Sequence, residues 1–171
     1  MNLITDRLLL LPFTIQDDRL FFKINTHPYV RQYLWDDEVI ARRTSDEILE
    51  KNESHFKQDQ WGLWKIQLKG NSEIIGYAGL WHFFDESQPQ LLYVLLPQYS
   101  GKGYATEASR AVVDYCFDSL GFQYLVASMD APHDQSRRVC ERLGMQLIEE
   151  RVIDDKPTIF FRRNAETRDK S

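Results

Sequence analysis

Cysteine and histidine are scarce in this chain. Cys116 and Cys140 lack metal-ligand spacing, and the four histidines form no cluster with them, so no metal is expected. Positive charge is short as well: 21 Lys and Arg against 26 Asp and Glu give −5. That balance argues against a nucleic-acid partner, because phosphate binding needs a basic face. No apolar run approaches the ~20 residues needed to span a bilayer, so no membrane is expected. The opening Met1-Asn2-Leu3-Ile4-Thr5-Asp6-Arg7 has no basic region followed by an apolar stretch and a small-residue cleavage site. It does not read as a secretory signal, and a reduced, cytoplasmic location is expected. Linkers and internal repeats are missing too. The expectation is one domain over residues 1–163, with a charged tail over 164–171. The length suits a sizeable core.

What is present is an alternation of strands and helices. Arg7 to Phe13 reads as a first strand limited by Pro12. Thr14 with Asp17 has capping-box spacing and opens a helix through Asn25, stopped at His27-Pro28. Tyr29 to Asp37 reads as irregular, aromatic and acidic. Thr44 with Glu47 is a second box, and the helical period continues to Phe56. Leu63–Leu68 and Ile74–Phe83 form a hairpin about Lys69-Gly70-Asn71-Ser72. Leu91–Leu96 is an apolar strand. Ala105, Ala108, Val112, Tyr115 and Cys116 stripe a helix that ends by Gly121. Tyr124–Met129 is a strand, residues 134–143 a helix stopped by Gly144, and 145–153 with 158–163 a closing hairpin.

Gly101 and Gly103 sit where strand hands over to helix. A helix N-terminus leaves about four backbone N–H groups unpaired and favours negative charge. Glycines let the backbone turn sharply beside a ligand. The junction therefore suits a diphosphate. It is not a nucleotide-triphosphate loop, since Gly-x-x-x-x-Gly-Lys-Ser/Thr is absent. Nor is it a dinucleotide fingerprint, because Thr106 stands where the third glycine belongs.

Four segments together resemble a known family. Gln98-x-x-Gly101-x-Gly103-Tyr104-Ala105-Thr106-Glu107-Ala108 resembles the acetyl-coenzyme A (acetyl-CoA) motif of the GNAT N-acetyltransferases. Ser136-Arg137-Arg138-Val139-Cys140-Glu141-Arg142-Leu143-Gly144-Met145 is similar to its Asn-x-x-Ser/Ala…Glu-Lys-Leu-Gly-Phe segment. Thr5-Asp6-Arg7-Leu8-Leu9-Leu10 resembles the start of the branch holding the ribosomal-protein N-terminal acetyltransferases, the RimJ/RimL-like group. Ile75-Gly76-Tyr77-Ala78-Gly79-Leu80 fits the preceding hairpin. The match runs from about Thr5 to about Arg163.

The resemblance implies an α/β (α+β) fold with a mixed, mostly antiparallel central sheet, splayed open and flanked by helices. It implies acetyl transfer from acetyl-CoA to a primary amine, a protein N-terminus or a small molecule, by direct attack in a ternary complex. The cofactor arm would pair with backbone at Leu95 and Leu96. Gln98, Ser100, Gly101, Lys102, Gly103, Tyr104, Ala105 and Thr106 would hold the diphosphate end. Arg137 and Arg138 would offset its charge, and His133, in place of the motif's asparagine, would contact the arm. Tyr33, Trp35, Tyr93 and Asp130 would face the acceptor, although Tyr33 and Trp35 also read as core anchors.

A backbone N–H at Leu96 is the implied oxyanion donor. The family's acid tyrosine aligns with Cys140, which equally reads as a small buried hydrophobe. Ser136, one turn earlier, is the preferred group for the leaving thiolate; a capping or cofactor-contact role is as good a reading. Gln90 stands where branch relatives carry a glutamate base. His82 and Asp130 are titratable replacements, each also readable as an ordinary surface or turn residue. These departures leave a catalytically silent acyl-CoA-binding module as the alternative. Monomer and homodimer are both compatible with the sequence.

Overall fold

The computed structural model describes residues 1–166. The leucine-rich opening gives β1 (Leu3–Ile4) and β2 (Leu8–Pro12), with Leu3 opposite Leu10. The chain then forms α1 (Asp18–Thr26), α2 (Pro28–Leu34) and α3 (Arg42–Asp59). β3 (Leu63–Leu68), β4 (Ile74–Trp81) and β5 (Gln90–Leu95) follow. These strands make a five-stranded antiparallel sheet in the order β1-β2-β3-β4-β5. α4 (Tyr104–Asp118) leads to β6 (Tyr124–Asp130), α5 (Asp134–Arg142), β7 (Gln146–Ile153) and β8 (Lys156–Asn164). The last three strands form a second antiparallel sheet in the order β6-β8-β7.

β5 and β6 run side by side. Gln88 Nε2 donates to the Tyr124 carbonyl (2.7 Å), and Ser128 Oγ donates to Gln90 Oε1 (2.6 Å). These contacts climb both strands in the same direction, so the strands are parallel and need the α4 crossover between them. Among the described residues no backbone ladder joins them. The mixed, mostly antiparallel and splayed sheet is therefore present.

Helices cover both faces. Along β5, Tyr93 and Leu95 pack with Val112, Cys116 and Val139 of α4 and α5. Leu92, Val94 and Leu96 pack with the cluster of Phe13, Phe21, Ile24 and Leu49. The period-2 alternation of a strand buried on both faces produces this division.

Of the boundaries that differ from the sequence reading, four have a local reason. The Thr14–Asp17 box is present, but it caps a short 3-10 turn, Ile15–Asp17, ahead of α1. Pro28 starts α2 as well as stopping α1: it occupies the first helical turn, and the His27 ring accepts from the Tyr29 N–H (3.2 Å). α3 begins at Arg42, before Thr44, with no side-chain cap. β8 runs through Asn164, and the Ala165 N–H bonds the Gln123 carbonyl (2.8 Å). Asn164 and Ala165 are thus tied to the sheet, and residues 167–171 of the expected tail lie outside the described residues.

Candidate active site

After β5 the chain makes a short turn, Pro97–Tyr99, and enters the glycine loop. Gly101 and Gly103 are both left-handed, with φ of 79° and 80°, a conformation that strains side-chain-bearing residues. A Cβ built on Gly101 meets nothing within 4 Å, so the glycine is required by backbone shape rather than by packing. α4 starts on Gly103 without a side-chain cap, which leaves its first N–H groups free of helical partners. In its first turn the Thr106 hydroxyl is buried and has no hydrogen-bond partner among the described residues. A buried, unpaired hydroxyl costs free energy. Its place beside a helix N-terminus marks where a ligand oxygen fits.

This loop is one end of a cavity of about 270 Å³ that runs through the gap between β5 and β6. Ser100, Tyr104 and Ala105 line it with the two glycines and Thr106. Leu92–Leu95 form one wall, Ser128–Asp130 another, and Arg138 and Arg142 approach from α5. Backbone direction along β5 follows from its register. The Leu96 N–H donates to the Ile75 carbonyl (2.9 Å), and the pairing continues as Val94 with Tyr77 and Leu92 with Gly79. Antiparallel pairs alternate, so the N–H and C=O groups of Tyr93 and Leu95 point away from β4, toward the gap.

Opposite Tyr93, the first turn of α5 supplies a hydroxyl. Ser136 Oγ donates to the Tyr93 phenol oxygen (2.9 Å), and that phenol donates to the Ser136 carbonyl (2.7 Å). Cys140 Sγ lies 3.2 Å from the same oxygen. Burial pushes the Tyr93 phenol well above its usual range, with the neighbouring Cys140 thiol adding to the shift. Burial likewise pushes the Cys140 thiol up to about 11, although the Tyr93 bond opposes it. Neither group ionises near neutral pH. Both are proton holders; of the three residues, Ser136 and Tyr93 border the cavity and Cys140 does not.

At the far end α2 meets α5. Tyr33 stacks on His133 at 3.8 Å and 7°, and Tyr29 OH donates to Gln135 Oε1 (2.6 Å). Burial drags the His133 imidazole down to about 4, against the pull of Asp134, so it is neutral at neutral pH. Asp130 is the one carboxyl in the cavity lining among the described residues. Burial raises its pKa; Lys156 pulls it back, and Asp36 raises it further. Lys156 Nζ also bonds Asp36 Oδ1 (2.5 Å), joining the segment after α2 to the β7–β8 turn.

A family model for the acetyltransferase (GNAT) domain matches residues 7–146. The chain belongs to this family. Among relatives, the Bacillus subtilis protein YnaD, an uncharacterized N-acetyltransferase, is 25% identical over 146 residues, 85% of this chain and 83% of its own length. A solved acetyltransferase from Agrobacterium tumefaciens shares the fold with a TM-score of 0.83 at 23% identity, covering 96% of this chain and 94% of that one. RimL, a ribosomal L7/L12 alpha-N-protein acetyltransferase solved in complex with coenzyme A, gives 0.81 at 12% identity, covering 96% and 98%.

Within this GNAT chain the cavity collects most of the residues named from sequence: Leu95, the loop, His133, Ser136, Arg138, Tyr33, Tyr93 and Asp130. Several others lie elsewhere. The Leu96 N–H is committed to Ile75 and is not free for the role expected of it, whereas the N–H groups of Tyr93 and Leu95 face the gap. His82 is past the end of β4, exposed, with Nδ1 3.2 Å from the Glu86 carbonyl and its ring beside Trp61. It is not at the cleft. Trp35 is outside the lining, its indole N–H held by Asn25 Oδ1 (3.0 Å), which makes it an anchor. Gln98 and Lys102 are exposed beyond the lining, and Arg137 pairs with Glu141 on the outer face of α5 (3.5 Å). Cys140 is buried behind Tyr93. Gln90 is buried and bridges Glu86 to Ser128, a structural use of the expected base position. Tyr29 and Gln135 are lining residues that sequence reasoning did not single out. The signal for Tyr29 was available: Pro28 at a first helical turn places Tyr29 and Tyr33 one turn apart on one face.

Proposed function

We propose that this GNAT domain transfers an acetyl group from acetyl-CoA to a primary amine inside the β5–β6 cavity. The observation that carries the reading is the pairing of ends. An uncapped helix N-terminus with an orphan Thr106 hydroxyl lies at one end, and Asp130 with Tyr29 and Tyr33 at the other. A diphosphate fits the first and a cationic amine the second. RimL, which has the same fold, binds coenzyme A, and a further structural neighbour, the microcin C7 self-immunity protein MccE, was solved with acetyl-CoA and AMP (TM-score 0.74).

The residues present suit that cofactor. The loop N–H groups from Gly101 to Ala105 and the Thr106 hydroxyl would hold the diphosphate, with Arg138 and Arg142 offsetting its charge. The outward backbone of Tyr93 and Leu95 would pair with the amide-bearing arm as an added strand does. When bound, acetyl-CoA supplies an activated acyl carbon and a thiolate leaving group.

The protein's part is to manage charge and protons. One N–H of Tyr93 or Leu95 donates to the carbonyl oxygen as it becomes anionic. Asp130, its pKa raised by burial, accepts the proton that the attacking nitrogen sheds. The N–C bond forms, the C–S bond breaks, and the thiolate is protonated from solvent, to which Asp130 returns the proton it took. The Ser136 hydroxyl, which donates to the Tyr93 oxygen in this structure, would turn its proton to the departing sulfur while the Tyr93 O–H turns to donate to Ser136 Oγ in return. How much base is needed depends on the amine: at pH 7 about a tenth of an α-amine of pKa ~8 is already neutral, whereas a lysine amine is almost wholly protonated. We place the acceptor among protein N-termini and small-molecule amines, and the chain in the RimJ/RimL-like branch, in a reduced cytoplasmic setting.

The test is mass-spectrometric detection of acetylated products from N-terminal peptides, polyamines, aminoglycosides and amino acids supplied with acetyl-CoA. Acetylated product from any one class supports the enzyme. Acetyl-CoA binding with no product from any class favours the silent binding module.

A further inference from the structure

Thr5 and Arg7 stand ahead of β2, yet both bond Glu107 in the first turn of α4, and Arg7 also bonds the glycine loop. The Arg7 guanidinium forks between two partners. Nε and Nη2 each lie 2.6 Å from Glu107 Oε2, and Nη1 donates to the Lys102 carbonyl (2.8 Å). The same group lies 4.4 Å over the Tyr104 ring. The Arg7 backbone N–H and the Thr5 hydroxyl both donate to Glu107 Oε1, at 3.0 and 2.6 Å. Thr5 Oγ1 is itself fixed by the Leu8 N–H (3.0 Å) as β2 begins. Partial burial raises the Glu107 pKa, but the Thr5 and Arg7 bonds outweigh it and hold the carboxyl below its usual range.

Two physical consequences follow for the loop. Lys102 lies between the two left-handed glycines, and its carbonyl is turned onto Arg7. That fixes the peptide orientation on which the neighbouring N–H groups depend. A Cβ on Gly103 would lie 3.4 Å from Arg7 Nη2, an ordinary contact, so this glycine too is required by its left-handed backbone rather than by packing. The second consequence is electrostatic. Glu107 lies in the first turn of α4, where the helix dipole favours its charge but where that charge would repel an incoming diphosphate. Arg7 neutralises it in place.

We infer that Arg7, oriented by Thr5 and Glu107, is a positioning residue for the acetyl-CoA diphosphate, acting through the Ser100–Ala105 loop from outside the cavity. The inference rests on the acetyl-CoA reading above. It gives a physical role to the Thr5-x-Arg7 opening, which the cleft alone does not use.

The experiment compares wild type, Arg7→Met and Arg7→Lys with two thioesters, acetyl-CoA and acetyl-pantetheine, the second lacking the diphosphate. Methionine keeps an apolar stem over Tyr104. Arg7→Met should weaken acetyl-CoA binding about tenfold. It should leave kcat at saturating acetyl-CoA and the use of acetyl-pantetheine within about twofold of wild type. Arg7→Lys should recover only part of the loss, because an ammonium cannot fork between Glu107 and Lys102. Equal loss for both thioesters would make Arg7 a general stabiliser and overturn the inference; so would unchanged acetyl-CoA affinity. If Arg7→Met is too unstable to purify, the ratio of the two thioesters in Arg7→Lys decides. A wild-type protein that fails to bind acetyl-CoA would sink the functional reading itself, whereas normal wild-type binding with no Arg7 effect sinks only this proposal.

Discussion

At Tyr93 one phenolic oxygen makes three contacts with two neighbours: it accepts from Ser136 Oγ, donates to the Ser136 carbonyl and touches Cys140 Sγ. Removing that oxygen takes away the group that would donate to Ser136 Oγ as the serine proton turns to the sulfur. Tyr93→Phe and Ser136→Ala should each lower kcat about 10- to 100-fold, the cost of losing a hydrogen bond to a charged group, with a smaller change in acetyl-CoA affinity. Equal losses in kcat and affinity would reduce both residues to binding contacts. A second residue-scale effect concerns pH. The His133 imidazole is held down to about 4 in the fold, against 6.5 for the free side chain. A depressed folded pKa contributes stability that is present above 6.5 and lost as pH falls toward 4. Thermal melts between pH 7 and 4 should show that fall, and His133→Gln should flatten it. A slope unchanged by His133→Gln would mean that other groups carry it. Of the residues the sequence named, Ser136 and His133 line the cavity and Cys140 is buried behind Tyr93. The sequence did not reveal that Tyr93 joins them, because a phenol on β5 meets α5 only through the fold, 43 residues away.

Among the elements, the loop between β5 and α4 was the most legible. Two glycines at a strand–helix junction have few physical uses, and both are left-handed here. The orphan hydroxyl in the same turn gives a test with two opposite signs. Thr106→Val keeps the volume and removes an unpaired buried group, so the ligand-free protein should melt no lower than wild type. Acetyl-CoA affinity should nonetheless fall about tenfold. A drop in both would show that the hydroxyl has a structural task instead. The direction of the β5 backbone was harder to read. The connection from Trp81 to Gln90 is too long for turn type to fix a register. Only the pairing of Leu96 with Ile75 shows that Tyr93 and Leu95, not Leu96, face the gap. α2 was lost for a local reason: Pro28 both ends one helix and begins the next, and only the first sense was applied.

For the whole molecule, the order of elements pointed to an α/β domain and the family resemblance implied the splayed sheet; α4 supplies the crossover that the parallel β5–β6 neighbourhood requires. The acceptor end was less visible. It is assembled from contacts of long range, Tyr29 with Gln135 and Asp36 with Lys156, that no local pattern announces. The central claim is that this cavity brings acetyl-CoA and an amine together so that the thioester is consumed by the amine. The direct measurement is release of free coenzyme A thiol from acetyl-CoA by the wild-type protein, with and without a panel of primary amines. The account predicts slow release alone and a saturable, amine-dependent rise with at least one member. Release that no amine accelerates, from a protein that binds acetyl-CoA, would contradict it.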